Sequence, residues 1–371
     1  MKKFGKKEPP AAPVTMTAQE TSDDLDEKLE ALDLGHKPVR GVVSSGVLGV
    51  DFLTYLPGIP RGCVIDLFGE EGLGKTTLAL TLVAERLLHK EQCAYIDMEH
   101  RLNQALIDIV VPINSNLLRI QHPKDGESAI KEVMHLADAG QHKMIVLDSV
   151  AALVPEDAMN LNEEASNSPA KIARLMSESL RALATLAYKH DTILLFINQM
   201  RSRPMMMGPS RAPTGGSALK FYASLRLEIM RDMPIRQGEK VIGQRVKLQA
   251  VKNSFGPPNF YTALSVVYGE GVDKVRDLID LGIELGVITK SSSWFEYKDL
   301  KANGEIALSA KIMDGYFRSL RDDVKAAWDE RRAKLEAEKA KRKEAMLQMM
   351  ISLEAEDQAV IDGKASVNKE G

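Results

Sequence analysis

Val64-Ile65-Asp66-Leu67-Phe68-Gly69-Glu70-Glu71-Gly72-Leu73-Gly74-Lys75-Thr76-Thr77 decides the fold. An apolar run ends in a glycine-rich turn, which opens a helical pattern carried by Leu78, Leu80, Leu82, Val83 and Leu87. Strand, loop and helix in that order, with Lys-Thr closing the loop, read as a phosphate-binding loop in its structural setting. The glycines of Gly69 to Gly74 let backbone N–H groups close around an anion at a helix N-terminus. Lys75 can reach the outer phosphates and Thr76 can hold Mg²⁺. The loop implies a nucleoside triphosphate but does not name a reaction.

Outward from the loop, apolar runs alternate with helical stretches as far as Tyr268: Cys93–Met98, Leu117–Gln121, Lys143–Asp148, Thr192–Asn198 and Leu225–Met230 all read as buried strands. That alternation argues for right-handed βαβ units and a mostly parallel sheet flanked by helices. Lys240–Lys252 and Tyr261–Tyr268 have strand character with no helix between them, which suggests an antiparallel edge. The expected organisation is a flexible tail over 1–22, an N-terminal helix and linker over 23–43 with Leu25, Leu29 and Leu32 at helical spacing, and an α/β core over 44–270. A small α/β domain over 271–329 and a charged helix and tail over 330–371 complete it.

A chain of 371 residues with 44% hydrophobic content can bury a substantial core. Its net charge of −3 requires any nucleic-acid surface to be local, built from clustered Lys and Arg. Cys63 and Cys93 stand at the edges of strand-like runs and suit buried thiols in a reducing compartment. Prolines 9, 10 and 13 follow the N-terminal lysines where a leader would be apolar, and no segment has the length to span a bilayer. A cytoplasmic protein without a membrane partner is the expectation.

Three further strand ends carry chemistry. Lys143–Asp148 ends in a carboxylate at the edge where open α/β sheets present ligands, making Asp148 the expected Mg²⁺ partner or else an ordinary helix cap. Asp97 and Glu99 alternate at another end, so one of them can hold the attacking water, and Glu99 has the longer reach. Asn198 and Gln199 end a fourth strand, where Gln199 can sense a terminal phosphate. The stretch after Gln199 is too broken by Pro and Gly to be an element; Arg201, Arg203 and Arg211 with Met205, Met206 and Met207 make an arm able to neutralise phosphates and wedge between bases. A second loop, Glu156–Ser168, precedes a helix with Lys171, Arg174 and Arg181 on one face, which reads equally as DNA-binding or as solvated.

Together these motifs resemble the RecA recombinases. The matching stretches are Gly69–Thr77, Tyr-Ile-Asp-Met-Glu-His at 95–100, Ile-Val-Leu-Asp-Ser-Val-Ala-Ala-Leu at 145–153, Phe-Ile-Asn-Gln at 196–199 and Thr-Gly-Gly-Ser-Ala-Leu-Lys-Phe-Tyr-Ala-Ser-Leu-Arg-Leu at 214–227. The last is the most specific. The resemblance implies an ATPase core of the RecA type that uses ATP and Mg²⁺: Lys75 and Thr76 on phosphate and metal, Asp148 near the metal, Glu99 activating water, and Gln199 coupling the γ-phosphate to DNA. It also implies DNA-binding loops at 156–168 and 200–214, a subunit contact around Lys220 and Phe221, Lys252 reaching the neighbouring protomer's ATP, and Tyr268 packing on adenine. The implied activity is DNA-dependent ATP hydrolysis with strand exchange between single-stranded and homologous double-stranded DNA by a helical filament, with a loader or single-strand-binding protein as a possible partner. A branch-migration or helicase-type motor and a non-catalytic recombination accessory are the alternatives.

The chain departs from the family pattern at four places. Ser254 stands where a second lysine follows Lys252, Leu106 where a tyrosine stacks on adenine, and Pro169 where an apolar side chain inserts beside DNA. No acidic tail matches at the C-terminus, and the helix over 330–350 has no counterpart in the resemblance.

Overall fold

The computed structural model describes residues 39–367 apart from 103, 112, 155–167, 203–210 and 214–217. The expected helix over 23–34 lies outside the described residues. In chain order the strands are β1 Val42–Val43, β2 Ile59–Pro60, β3 Val64–Gly69, β4 Gln92–Asp97, β5 Leu118–Gln121, β6 His142–Asp148, β7 Ile193–Ser202, β8 Arg211–Pro213, β9 Leu225–Gln237, β10 Lys240–Asn253, β11 Tyr261–Val267, β12 Gly271–Val272, β13 Thr289–Ser291, β14 Trp294–Tyr297 and β15 Leu300–Asn303. The α-helices are α1 Leu48–Leu53, α2 Lys75–Leu88, α3 Gln104–Val110, α4 Gly126–Ala139, α5 Ser168–His190, α6 Ala218–Tyr222, α7 Lys274–Glu284, α8 Glu305–Lys311 and α9 Phe317–Val367.

The main sheet runs β12-β11-β10-β9-β3-β7-β6-β4-β5, with β8 paired to β7. β9, β3, β7, β6, β4 and β5 are mutually parallel, whereas β10, β11 and β12 add in antiparallel fashion. The sheet is therefore mostly parallel with an antiparallel flank, as the sequence pattern predicts. Every residue of β3 is buried, which is what a strand covered on both faces requires. Strand alternation sorts its side chains into two cores. Ile65 and Leu67 face α2 with Tyr95, Val146 and Leu195, while Val64 faces α4 and α5 with Ile96, Ile145 and Phe196. Helix ends follow their local chemistry: Asp125 accepts the Ser128 N–H at 2.6 Å to start α4, and Gly140 at φ +68° ends it.

A third core joins the C-terminal module to the start of the main α/β core. α7, α8, the beginning of α9 and the β13-β14-β15 sheet bury Leu278, Phe295, Leu308 and Leu320 against Leu48, Phe52 and Tyr55. The Trp328 ring stacks on Phe52 with centroids 4.4 Å apart, and Tyr55 meets it edge-on at 6.1 Å. Such aromatic pairs add about 0.5–1.5 kcal/mol beyond area burial. The expected divisions shift slightly. Residues 271–272 belong to the main sheet, and 329/330 falls inside α9, because buried Trp328 lies in the same continuous helix as the charged stretch. Over 330–350 that stretch is mostly exposed, with Leu335 packed partly buried against the third core, and it carries ion pairs such as Lys334–Glu330 at 2.7 Å.

Asp277 on α7 sits under α1. The Gly49 N–H donates to its Oδ2 at 3.2 Å, and a Cβ on residue 49 would meet its Oδ1 at 2.5 Å. Burial pushes the Asp277 carboxyl up to about 7 and Asp51 up to about 6. Both lie above the unfolded carboxylate value near 4, so the folded chain keeps protons that the unfolded chain has released. The stability they contribute is complete below about pH 4 and is lost as pH rises toward about 7. Asp277→Asn is expected to raise Tm at pH 8 and to leave it nearly unchanged near pH 4. An equal shift at both pH values in thermal melts would rule out the carboxyl as the cause.

Candidate functional site: a nucleotide cleft at the strand ends

Parallel strands bring their carboxyl ends to one edge of the sheet. Gly69 is level with Gln199, and Asp97, Asp148 and Ile197 lie in consecutive register across β4, β6 and β7. The loop from Gly69 to Gly74 crosses this edge and feeds α2. Gly69 lies against β9 so closely that a Cβ would meet the Ile229 carbonyl oxygen at 2.2 Å, and Gly74 caps α2 at φ +85°. Buried Gln244 of β10 braces the loop from beside it, donating Nε2 to the Gly72 carbonyl at 2.5 Å.

Lys75 is 7% exposed, and its ammonium donates to the carbonyls of Gly69 at 3.1 Å and Glu70 at 2.6 Å. Burial pushes that ammonium below its ordinary value, while the Asp148 and Glu99 carboxylates pull it back. Thr76 Oγ1 donates to Asp148 Oδ2 at 2.6 Å, and the Tyr95 hydroxyl donates to the same oxygen at 2.7 Å. Burial raises the Asp148 carboxyl from its ordinary value, with the Thr76 and Tyr95 hydrogen bonds opposing it. A hydroxyl beside a carboxylate is a hard-oxygen pair that fits Mg²⁺. Among the described residues no three His, Cys, Asp or Glu side chains converge on a metal site, so these two oxygens suit an ion whose remaining ligands are phosphates and water.

Asp97 and Glu99 separate in the structure. β4 ends at Asp97, so the shared strand face expected from their spacing is lost in the turn that follows. Asp97 is buried and its two oxygens accept the Glu99 and Leu102 N–H groups at 3.1 Å each, building the turn. Glu99 thereby faces the cleft. Its Oε1 accepts from Ser149 Oγ at 2.5 Å and from Gln199 Nε2 at 2.7 Å, and its Oε2 is 3.0 Å from Arg101 Nη1. Tyr268, 59% exposed, lines the same cleft.

Other expected residues stand elsewhere. Lys252 donates to the Lys220 and Phe221 carbonyls at 2.9 Å each, closing the end of α6, and the Phe221 ring is 76% exposed. Gln244 and Lys252 lie on the same strand, about 26 Å apart at 3.3 Å per residue. Residues 203–207, which include Arg203 and Met205–Met207, lie outside the described residues. β7 runs straight from Gln199 into a ladder with β8 that pairs Arg201 with Ala212 and Ser202 with Arg211. Residues 155–167 of the first loop are also outside the description, and Pro169 falls in the first turn of α5. Lys171 and Arg174 are exposed on α5, with Arg174 Nε 2.7 Å from Glu178 Oε1. Leu106 packs partly buried against the α2 core rather than at the cleft.

Residues 27–273 match the RecA N-terminal domain family model. The chain belongs to the RecA family. Protein RecA of Rickettsia massiliae (strain Mtu5) is 40% identical over 277 residues, covering 74% of this chain and 80% of that protein. Protein RecA of Sulfurimonas denitrificans (strain ATCC 33889 / DSM 1251) is 38% identical over 301 residues, covering 79% and 87%. A crystal structure of the RadB recombinase is similar at 21% identity and TM-score 0.46, covering 62% of this chain and 97% of that one. As a RecA-family member the chain is an ATP-dependent DNA recombination and repair protein. The family match ends at 273, where α7 and the C-terminal module begin.

Tyr95, Ser149, Arg101 and Gln244 are contacts that sequence reasoning missed. The one available signal was Tyr95, whose hydroxyl lies in an otherwise apolar buried strand and so demands a partner. Removing an outer partner of a metal-binding carboxylate typically costs about tenfold in metal affinity. Tyr95→Phe is expected to raise the Mg²⁺ concentration needed for ATP binding by about tenfold. A Mg²⁺ titration at fixed nucleotide checks this, and an unchanged midpoint would leave Tyr95 a packing residue.

Proposed function

We propose that this protein hydrolyses ATP in a DNA-dependent manner to drive assembly of a helical filament on single-stranded DNA and exchange of strands with homologous duplex. The observation that carries the reading is the double acceptance at Glu99 Oε1: Ser149 opens the segment leading to residues 155–167, and Gln199 opens the one leading to residues 203–210. Movement of either segment on a DNA backbone would be felt at the carboxylate proposed to take a proton from the attacking water. That linkage makes hydrolysis answer to DNA.

In this reading the backbone N–H groups of the 69–74 loop and Lys75 hold the phosphates, and Thr76 and Asp148 hold Mg²⁺. The bound ion neutralises charge developing on the β- and γ-phosphate oxygens. Glu99 orients the water and accepts its proton, while the Gln199 amide moves between Glu99 and the terminal phosphate. Tyr268 offers its exposed ring to the adenine. Lys252 and Phe221, remote from their own chain's cleft, act on a neighbouring protomer; head-to-tail contacts that do not close generate a filament. The 23–34 segment supplies a further contact between protomers. Arg201, Arg203, Arg211, Lys171 and Arg174 neutralise phosphates, and Met205–Met207 wedge between bases, so affinity falls with salt and carries no sequence preference. A single-strand-binding protein or loader acts alongside, in the cytoplasm of a bacterium or of a bacterial host.

Strand exchange between a fluorescent single strand and homologous duplex tests the reading. Exchange that needs both ATP and homology is expected. DNA-stimulated hydrolysis without exchange would instead indicate a motor, and the absence of hydrolysis an accessory. Glu99→Gln is expected to keep ATP and DNA binding while kcat falls by about 10² or more; normal turnover would remove Glu99 from its role. Lys75→Ala is expected to abolish pairing, and retained ATP-dependent exchange would sink the phosphate-loop assignment.

A further inference from the structure

Arg101 carries none of the roles given so far. It lies two residues past Glu99 at the mouth of the nucleotide cleft, and its guanidinium bridges two carboxylates. Nη1 is 3.0 Å from Glu99 Oε2, and Nη2 is 2.9 Å from Glu71 Oε1 in the phosphate-binding loop. The bridge therefore spans from the loop that wraps phosphates to the carboxylate that faces the reacting end.

The two halves of the bridge are unlike. The Glu99 side chain is 12% exposed and fixed by Ser149 and Gln199, whereas the Glu71 side chain is 64% exposed. An exposed ion pair of the second kind is weakly held and readily exchanged. Exchanging Glu71 for a phosphate oxygen gives the arginine a more highly charged acceptor for the same nitrogen. The charge balance of the cleft points the same way. Among the described residues lining it, Lys75 and Arg101 are the cations, against the carboxylates of Glu71, Glu99 and Asp148. Burial already pushes the Lys75 ammonium downward. A bound triphosphate adds several negative charges to that balance.

We propose that Arg101 is a γ-phosphate ligand supplied by the same subunit: one guanidinium nitrogen stays on Glu99 while the other leaves Glu71 for a terminal phosphate oxygen. This rests on the ATPase reading and deepens it. The arginine then distinguishes ATP from ADP, because ADP offers no terminal oxygen at that distance, and it ties the position of Glu99 to the group under attack.

Equilibrium binding of a non-hydrolysable ATP analogue and of ADP, each with Mg²⁺, tests the inference in the full-length wild type, Arg101→Ala, Arg101→Lys and Lys75→Ala. Arg101→Ala is expected to weaken the ATP analogue about tenfold, as loss of a charge-assisted hydrogen bond does, and to change ADP by less than about twofold. Arg101→Lys should recover part of the loss, and Lys75→Ala should weaken both nucleotides. Equal weakening of both nucleotides by Arg101→Ala, or no change in either, would overturn the proposal while leaving the ATPase reading intact. Wild-type protein that bound neither nucleotide would overturn both.

Discussion

A cluster of carboxylates forced together at one sheet edge is the constraint on which the rest of the site depends. Parallel pairing puts the carboxyl ends of β3, β4, β6 and β7 side by side, and two of these ends bring three acids with them, Asp97 and Glu99 at the end of β4 and Asp148 at the end of β6. Like charges at short range in a half-dry cleft repel strongly unless donors surround them. Donors drawn from several elements answer that need. Backbone N–H groups take Asp97, two hydroxyls take Asp148, and Ser149, Gln199 and Arg101 take Glu99. The proposed function draws on the same arrangement, because acids held ready in one place are what the proposed metal and attacking water would require.

How much of this was legible in the chain divides along sequence distance. The phosphate loop, the parallel strands and the antiparallel flank read directly, since each is written as a local pattern: glycine spacing, apolar runs, or adjacent strands with no helix between. Glu99 could be preferred over Asp97 on reach alone, but the physical reason is that Asp97 spends both oxygens on the turn. The donors that complete the site come from residues tens of positions apart. Tyr95 meets Asp148, Gln199 meets Glu99 and Gln244 meets Gly72 only because the strands pair in this order. No local pattern announces such contacts.

The C-terminal module teaches the same lesson in apolar terms. Its strands and helices were readable as a small unit, yet its core is completed by Phe52 and Tyr55, which precede the phosphate loop. Trp328 gave no signal that it would stack on Phe52, 276 positions away. Burial of Asp277 beneath Gly49 belongs to the same junction. The charged stretch over 330–350 reads as exposed in the sequence and is mostly exposed in the structure, but it grows out of a helix whose first turns are core.

β10 has one end in the nucleotide cleft and the other under α6. Gln244 holds the carbonyl of Gly72 within the phosphate loop, and Lys252 holds the last carbonyls of α6 beneath the exposed Phe221 ring. β10 is laddered to β9 along its length and to β11 over residues 243–249, but its register to β9 shifts between Val241 and Gly243, Gln244 and Val246, and Ala250 and Lys252. One continuous strand thus ties the phosphate loop to the surface around Phe221, with two bulges between the two contacts where the ladder can yield.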